Sequence, residues 1–181
     1  MGISTEDLQR VCGYLVSQAQ KLSVPKLVEK LQTDSLPLRD AVAAFPSEHF
    51  DARPASDGWS AALVCTHIIN MTEHGAAAVT GILDRGDIPP TISDMRPGFV
   101  RDSLRRAEDF WPAFTGRRDP FYARVLQASG DEHLDVKLVH PWFGPLNWRE
   151  WLLFMRVHDL DHLRQLQWLA QHFELTSAQG L

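Results

Sequence analysis

The sequence predicts an all-α protein, a four-helix bundle with long connections, an extra N-terminal helix and a short extended arm before the last helix. Three observations favour this class. Apolar residues recur at helical spacing over several long stretches, and segments rich in proline, glycine and aspartate separate these stretches. With 181 residues and 44% hydrophobic content, the chain can also fill one core. We therefore expect a single domain over 1–181.

The first two helices are predicted from their start signals and their apolar stripes. Residues 5–20 begin with acidic side chains and continue with apolar residues at helical spacing, which gives the additional N-terminal helix. Residues 25–45 repeat the pattern, with Pro25 suited to a first helical turn. Pro37 lies inside this second stretch and is expected to kink or split it. The bundle itself is expected over 25–173.

The middle of the chain predicts two further helices. Ser60 has the character of an N-cap for a helix that runs to about Leu83, and the small residues at 75–78 would let a neighbouring helix approach closely. After a proline-rich loop, residues 98–116 are predicted as the next helix. Residues 119–129 are predicted as a separate short helical piece.

The last third of the sequence predicts an arm followed by the longest helix. Apolar and polar residues alternate from Leu134 to His140, which is typical of a short strand. Asn147 then caps a helix over 147–173. The apolar stripe of this helix comprises Trp148, Trp151, Met155, Leu166, Leu169 and Phe173.

Two histidines lie in the middle of that stripe. His158 and His162 are four residues apart, so their rings share one helical face. Burying polar groups without partners costs roughly 2–7 kcal/mol on transfer scales. A shared metal ion would satisfy both rings, whereas the alternative is a pair of core or rim histidines satisfied by side-chain hydrogen bonds.

A third metal ligand would have to come from another helix. His67 lies at the centre of its own stripe, shortly after the cap, and is the best placed. Three neutral imidazoles suit Zn²⁺ or Ni²⁺ and leave a coordination position open. Bound water would then have a pKa near ~7, and a bound thiol would be deprotonated.

Three motifs in this order resemble the DinB/YfiT-like family of metal-binding four-helix bundles. The first is a "W-S…H" segment, the second is "HP-x-x-G", and the third is "H-x-x-x-H-x-x-Q" on the last helix. In this sequence they are Trp59, Ser60 and His67; His140, Pro141 and Gly144; and His158, His162 and Gln165. The resemblance spans roughly 25–173. It implies a divalent metal on the three histidines, in a family with thiol-dependent transferases and isomerases, proposed hydrolases, and proteins of unknown activity.

Seven further residues are candidates for a second shell or a pocket: Gln165, Asp159, Asp161, His74, Asn70, Trp151 and Met155. Asp159 and Asp161 can each orient a ligand histidine, but the spacing favours solvation or pairing with Arg156 or Arg164.

Gln165 faces the histidine pair and either bonds a ligand ring or serves as a structural amide. His74 is two turns beyond His67, about 10.5 Å along the axis, which is too far for the same ion. A local hydrogen bond is the favoured interpretation for His74 and for Asn70, with pocket lining or proton transfer as the alternative.

His140 and the tryptophans admit two interpretations each. His140 either lines the entrance to the site or is an exposed loop residue. Trp142, Trp148 and Trp151 are most simply core and rim aromatics, with an apolar wall for a substrate as the alternative.

Composition excludes several classes of partner. The net charge of −5 comes without a Lys/Arg block, which argues against nucleic acid and anionic membrane. The start has no secretory signal, and no apolar run approaches the length that spans a bilayer. Two cysteines define no disulfide framework, so a cytoplasmic location is expected.

Three hypotheses about function follow. The first is a metal-dependent enzyme that activates water or a low-molecular-weight thiol against a small electrophilic substrate. The second is a non-catalytic metal- or ligand-binding bundle with a stress-response role. The third is a structural bundle without a site. A homodimer is expected, because bundles of this type often pair.

Overall fold

Five helices and one β-hairpin make up the described part of the chain, which in this computed structural model is residues 4–88 and 104–179. The helices are α1 (Thr5–Lys21), α2 (Val24–Ala43), α3 (Ala61–Arg85), α4 (Phe110–Val125) and α5 (Trp148–Gln179). Short 3₁₀ turns lie at Ser47–His49 and Ala107–Asp109. The hairpin pairs β1 (Leu138–His140) with β2 (Gly144–Leu146) in antiparallel register.

Helices α2, α3, α4 and α5 form a closed bundle, in which α2 packs on α5 and α4, and α3 packs on α4 and α5. Helix α1 lies outside this ring against α5. Arg149 fastens it there, because its guanidinium donates to the carbonyls of Ala19 and Leu22 at the end of α1. The predicted fold class, including the additional helix, is confirmed.

The predicted N-caps of the two helices that carry the histidines are confirmed. Ser60 Oγ accepts the backbone N–H of Leu63 at 3.3 Å. Asn147 Oδ1 accepts the N–H groups of Arg149 and Glu150 at 3.0 Å each, and the Glu150 carboxylate accepts the N–H of Asn147 at 2.9 Å. This reciprocal capping box satisfies N–H groups that a helix start leaves unpaired, so the start of α5 is well defined.

The fourth helix differs from the prediction. Residues 98–103 lie outside the described residues, 104–106 are not helical, and α4 begins only at Phe110. It then runs without interruption to Val125, so the expected separate piece at 119–129 is wrong. Pro112 is tolerated because it lies in the first turn, where an N–H has no helical partner. Pro120 removes one hydrogen bond, but buried side chains on both sides of it hold the helix against the core.

Two smaller expectations have different outcomes. Helix α2 passes through Pro37 as one helix, so the expected split is absent. Pro37 is exposed and leaves only a solvent-side carbonyl without its helical donor, while Leu38 and Val42 keep the stripe buried. In the arm, side chains alternate between exposed and at least partly buried from Leu134 to His140, as predicted, and the end of the arm pairs as β1.

The core consists of two clusters that meet along α5. One contains Trp148, Trp151 and Met155 from the start of α5, and the other contains Leu163 and Leu166 from its middle. His158 therefore lies where one cluster gives way to the other. No helix among the described residues has the length and apolar character needed to cross a membrane.

Helices α3 and α5 approach closely at Gly75, as the small residues predicted. A β-carbon placed on Gly75 would lie 2.8 Å from Trp151 Nε1 and 2.9 Å from Met155 Sδ. Real β-carbons essentially never come that close to another heavy atom, so the absence of a side chain at Gly75 allows the two helices to lie at this distance.

Candidate metal centre

Three histidine rings from α3 and α5 converge on one point. The Nε2 atom of His158 lies 2.9 Å from Nε2 of His67 and 3.1 Å from Nε2 of His162. The ligand atoms of the three residues all lie within 4.8 Å of one another. Helix α5 supplies two rings one turn apart, and the close packing of α3 brings the third ring to them. The structure thus brings together the three histidines that the sequence singled out.

Burial keeps two of these rings neutral. It lowers the pKa of His67 to about 3, with a further lowering by the neighbouring rings of His158 and His162. It also lowers the pKa of His162 to about 4, together with His158, while the hydrogen bond to Gln165 acts in the opposite direction. At neutral pH each of these two rings therefore carries only one proton. Its other nitrogen keeps a lone pair that is available to a cation.

Gln165 sets the tautomer of His162. Its Oε1 atom lies 2.8 Å from His162 Nδ1, and an amide oxygen can only accept, so the ring carries its proton on Nδ1. That leaves the Nε2 lone pair pointed at the other two histidines. Trp59 completes the surroundings, with its ring stacked on His162 at 6.4 Å and edge-on to His67 at 5.1 Å between centroids.

A comparison with protein families decides the relationship of the chain. The model of the DinB superfamily matches residues 37–166, well over half of the sequence and all three histidines. The chain belongs to the DinB superfamily. Helix α1 and the first part of α2 lie outside the matched segment. This agrees with the prediction that the N-terminal helix is an addition to the bundle.

A solved structure supports the four-helix-bundle fold. The crystal structure of TT2238, a four-helix bundle protein, is similar with a TM-score of 0.60 and 16% sequence identity. The similarity covers 80% of this chain and 98% of that chain. At that identity the likeness shows the fold alone. A comparison with curated proteins gave no significant match.

The residues present at this DinB centre fit a divalent cation. Nitrogen ligands of zinc lie 2.0–2.1 Å from the metal, so two of them at a tetrahedral angle are about 3.3 Å apart. The Nε2 separations of 2.9 and 3.1 Å approach that value. Within the described residues, this is the one group of three or more histidine, cysteine or carboxylate side chains that could hold a metal.

The structure corrects the expected partner of Asp159. This carboxylate is neither solvated nor paired with Arg156 or Arg164; it is 4% exposed and receives both bonds from Arg118 Nη2, at 2.9 and 3.1 Å. Arg118 belongs to α4, whose path the sequence did not predict correctly. The expectation was therefore wrong because it considered only arginines on the same helix.

Arg118 is itself at the centre of a buried network that sequence reasoning missed. It is 2% exposed, and it donates from Nε to Thr72 Oγ1 at 2.9 Å and from Nη1 to Tyr122 Oη at 3.0 Å. Burial lowers its pKa, but Asp159 and then Tyr122 outweigh burial, so the pKa is raised and the guanidinium stays charged. The signal in the sequence was the place of Arg118 in an apolar stripe, one helical turn after Phe114 and one turn before Tyr122.

The remaining candidate residues fall into two groups. Asp161 is exposed, and His74 Nδ1 lies 2.8 Å from the carbonyl of Asn70 one turn earlier, which is the local bond that was favoured. Trp151 and Met155 are buried at the crossing with α3, and within the described ranges the Trp151 indole N–H has no hydrogen-bond partner. Their predicted place in a pocket stays a prediction.

His140 is buried rather than exposed, which corrects the simpler of its two interpretations. It is 8% exposed and packs against Phe154 at 4.4 Å and Phe143 at 4.8 Å between ring centroids. Its Nδ1 accepts the backbone N–H groups of Trp142 and Phe143, both at 3.2 Å, so the neutral ring carries its proton on Nε2. The turn of the hairpin thus fixes the tautomer of His140.

Proposed function

We propose that this DinB protein binds a divalent cation, Zn²⁺ or Ni²⁺, on the triad formed by His67, His158 and His162. The observation that carries the proposal is the convergence of three Nε2 atoms at separations of 2.9 and 3.1 Å. Superfamily membership supports it, because DinB proteins generally bind metal. Three imidazoles from two helices also match the ligand type and number of open zinc sites.

We further propose that the centre is catalytic and acts on a small electrophilic substrate. A divalent cation held by three neutral ligands keeps its full charge, which lowers the pKa of bound water toward ~7 and deprotonates a bound thiol. The chain would contribute fixed ligands, because Gln165 holds His162 in one tautomer. Trp59 would offer an apolar surface beside the ligands. If the centre activates water, the protein would be a hydrolase. If it activates a low-molecular-weight thiol, the protein would be a transferase.

Metal analysis of the purified protein tests the first step. We expect about one equivalent of metal in the native protein and its loss in His162→Ala. His74→Ala is the matched control, because His74 is also a half-buried histidine with a local hydrogen bond but lies outside the triad. Less than a tenth of an equivalent in the native protein after loading, with no change in His162→Ala, would refute the proposal.

An activity screen tests the second step. The metal-loaded protein is assayed with a panel of thiol-transfer and hydrolysis substrates, and His67→Ala is assayed in parallel. We expect turnover that His67→Ala abolishes and His74→Ala retains. Turnover that persists in His67→Ala would place the activity elsewhere.

One observation favours a non-catalytic metal-binding bundle as the second candidate. Two carboxylates lie next to the histidine pair. Both oxygens of Asp159 accept hydrogen bonds from Arg118, and Asp161 is exposed. Neither is therefore placed as a general base at the triad. Full metal occupancy without turnover on any thiol-transfer or hydrolysis substrate is the result that this candidate predicts.

A further inference from the structure

Arg118 and the triad compete for the same carboxylate. Asp159 is the residue after His158, and its Oδ1 lies 3.8 Å from His158 Nδ1. That distance is too long for a hydrogen bond, which requires roughly 3.2 Å or less between nitrogen and oxygen. Both oxygens are instead bound to Arg118 Nη2, at 3.1 and 2.9 Å.

The free nitrogen of His158 would otherwise be a natural partner for this carboxylate. The Nε2 atom of His158 faces the other two rings, so the neutral ligand form carries its proton on Nδ1. Histidine ligands commonly donate this proton to a carboxylate, which makes the ring a stronger ligand and the cation less electrophilic. Asp159 is close enough to accept it after a small rotation, but the paired donation from Arg118 holds it away.

The Arg118 position is rigid for reasons independent of the triad. Its guanidinium is also held by Thr72 on α3 and by Tyr122 on α4, and the whole group is 2% exposed. Four hydrogen bonds from one planar group leave it no alternative rotamer that keeps them all. The carboxylate of Asp159 is therefore oriented by side chains of two other helices, α3 and α4, rather than by its neighbour His158.

We infer that Arg118 is a positioning residue that withholds Asp159 from His158 and so weakens metal binding while it stabilises the fold. The inference rests on the proposed metal function. It predicts that removal of Arg118 changes thermal stability and metal affinity in opposite directions. Removal of Arg118 should lower the thermal stability of the metal-free protein, because a buried carboxylate loses its partner. The same change should tighten metal binding, because Asp159 becomes free to accept from His158.

The experiment measures the Zn²⁺ dissociation constant, by competition with a chromogenic chelator, and the melting temperature of the metal-free protein. In Arg118→Met we expect a lower melting temperature and about tenfold tighter Zn²⁺ binding, the size typical of such outer contacts. Arg118→Lys retains the charge beside Asp159, so it should be less destabilising than Arg118→Met; because an ammonium cannot reproduce all four hydrogen bonds, it should still show a smaller gain in affinity. This second variant keeps the test decisive if Arg118→Met does not fold.

Two controls assign the gain to Asp159. Arg117→Met removes the neighbouring arginine, which is 38% exposed and pairs with Glu73 on the surface, and should leave Zn²⁺ affinity unchanged. In Arg118→Met combined with Asp159→Asn, the gain should disappear, because no carboxylate is left to accept the proton of His158.

The outcomes separate this inference from the proposed function. A native protein that binds no Zn²⁺ refutes the metal centre and the role of Arg118 with it. A native protein that binds Zn²⁺, with equal or weaker binding in every folded Arg118 variant, refutes only the role of Arg118. A purely structural arginine would lower stability and affinity together.

Discussion

At the scale of single residues, the centre depends on which nitrogen of each ring carries the proton. His162 is the clearest case, since Gln165 Oε1 accepts from its Nδ1 at 2.8 Å. Without that acceptor, the neutral ring can also place its proton on Nε2, where it would block a cation. Gln165 thus bonds the ring of His162, which is one of the two interpretations that its place on the same helical face as the histidine pair had left open.

Gln165→Ala should therefore weaken Zn²⁺ binding by about tenfold, the usual effect of losing a partner of a ligand histidine. The fold should be unaffected, because Gln165 is only half-buried. Titration with a competing chelator measures the change, and Gln167→Ala, an exposed glutamine two residues further along α5, is the control. Equal dissociation constants for the two variants would contradict a role for Gln165.

The sequence predicted which three histidines come together better than it predicted the partners of the residues around them. His158 and His162 were recognisable because two polar residues stood in the centre of an apolar stripe, and His67 because it occupied the same place on its own helix. Arg118 also stands in an apolar stripe, one turn after Phe114 and one turn before Tyr122, but it was not singled out because an arginine in a helix is ordinarily a surface residue. Its burial depends on Asp159, 41 residues away in sequence, and such pairs are determined by packing rather than by local pattern.

At the scale of helices, the centre requires that α3 and α5 lie close together. Gly75 allows this approach, because a β-carbon there would meet Trp151 Nε1 at 2.8 Å and Met155 Sδ at 2.9 Å. Trp151 is fully buried and cannot move outward. An added methyl group must therefore push the helices apart or displace a core side chain, and both disturb the packing on which the triad depends.

Gly75→Ala should lower the free energy of unfolding by about 1–3 kcal/mol, the range for overpacked cores. Gly116→Ala on α4 is the matched control, because a β-carbon there meets no atom of the described residues within 4 Å. That variant should gain about 0.5–1 kcal/mol from the better helix propensity of alanine. Urea unfolding of both proteins gives the comparison, and a Gly75→Ala protein as stable as the native one would contradict the steric argument.

Helix boundaries show where local sequence information stops. The starts of α3 and α5 were predictable because Ser60 and Asn147 satisfy backbone donors within three residues, which is a local interaction. The start of α4 was not, because Asp109 caps it without a side-chain hydrogen bond. Its continuation past Pro120 relies on contacts with other helices, which outweigh the local cost of proline.

At the scale of the whole molecule, three histidine rings that are at least partly buried, His67, His140 and His162, link stability to pH. Burial, with His158 as a lesser cause, lowers the pKa of His140 to about 4, close to that of His162 and above the value of about 3 for His67. In the unfolded chain all three have a pKa near 6.5. Between these limits the unfolded chain binds protons that the folded protein does not, so the stability is complete above pH 6.5 and declines as the pH falls.

The melting temperature of the metal-free protein should therefore drop steadily between pH 6.5 and 4.5. Carboxylates contribute mainly below this window; the pKa of Glu132, for example, is lowered to about 2 against the opposing effect of burial, by hydrogen bonds from Ser129 and Gly130. Scanning calorimetry at several pH values measures the slope. Replacing His67 and His162 by asparagine should flatten it, and an unchanged slope in that double variant would show that these rings are not the cause.

The architecture as a whole was the most predictable level, since amphipathic helices of this length bury their stripes only against one another. The confirmed parts are the all-α bundle, the extra helix and the DinB relationship. The boundary of a single domain over 1–181, the cytoplasmic location, the small-molecule substrate, the absence of nucleic-acid and membrane partners, and the homodimer stay predictions. These depend on surfaces and solution behaviour rather than on helical periodicity.

The origin of the three rings on two helices has a consequence for how the chain matures. His67 and His158 are 91 positions apart, so no nascent segment shorter than that can hold a cation between them. An ion bound to all three rings would require α3 and α5 to be docked, and it would cross-link the two helices. Its release would then be limited by how often that pair of helices opens.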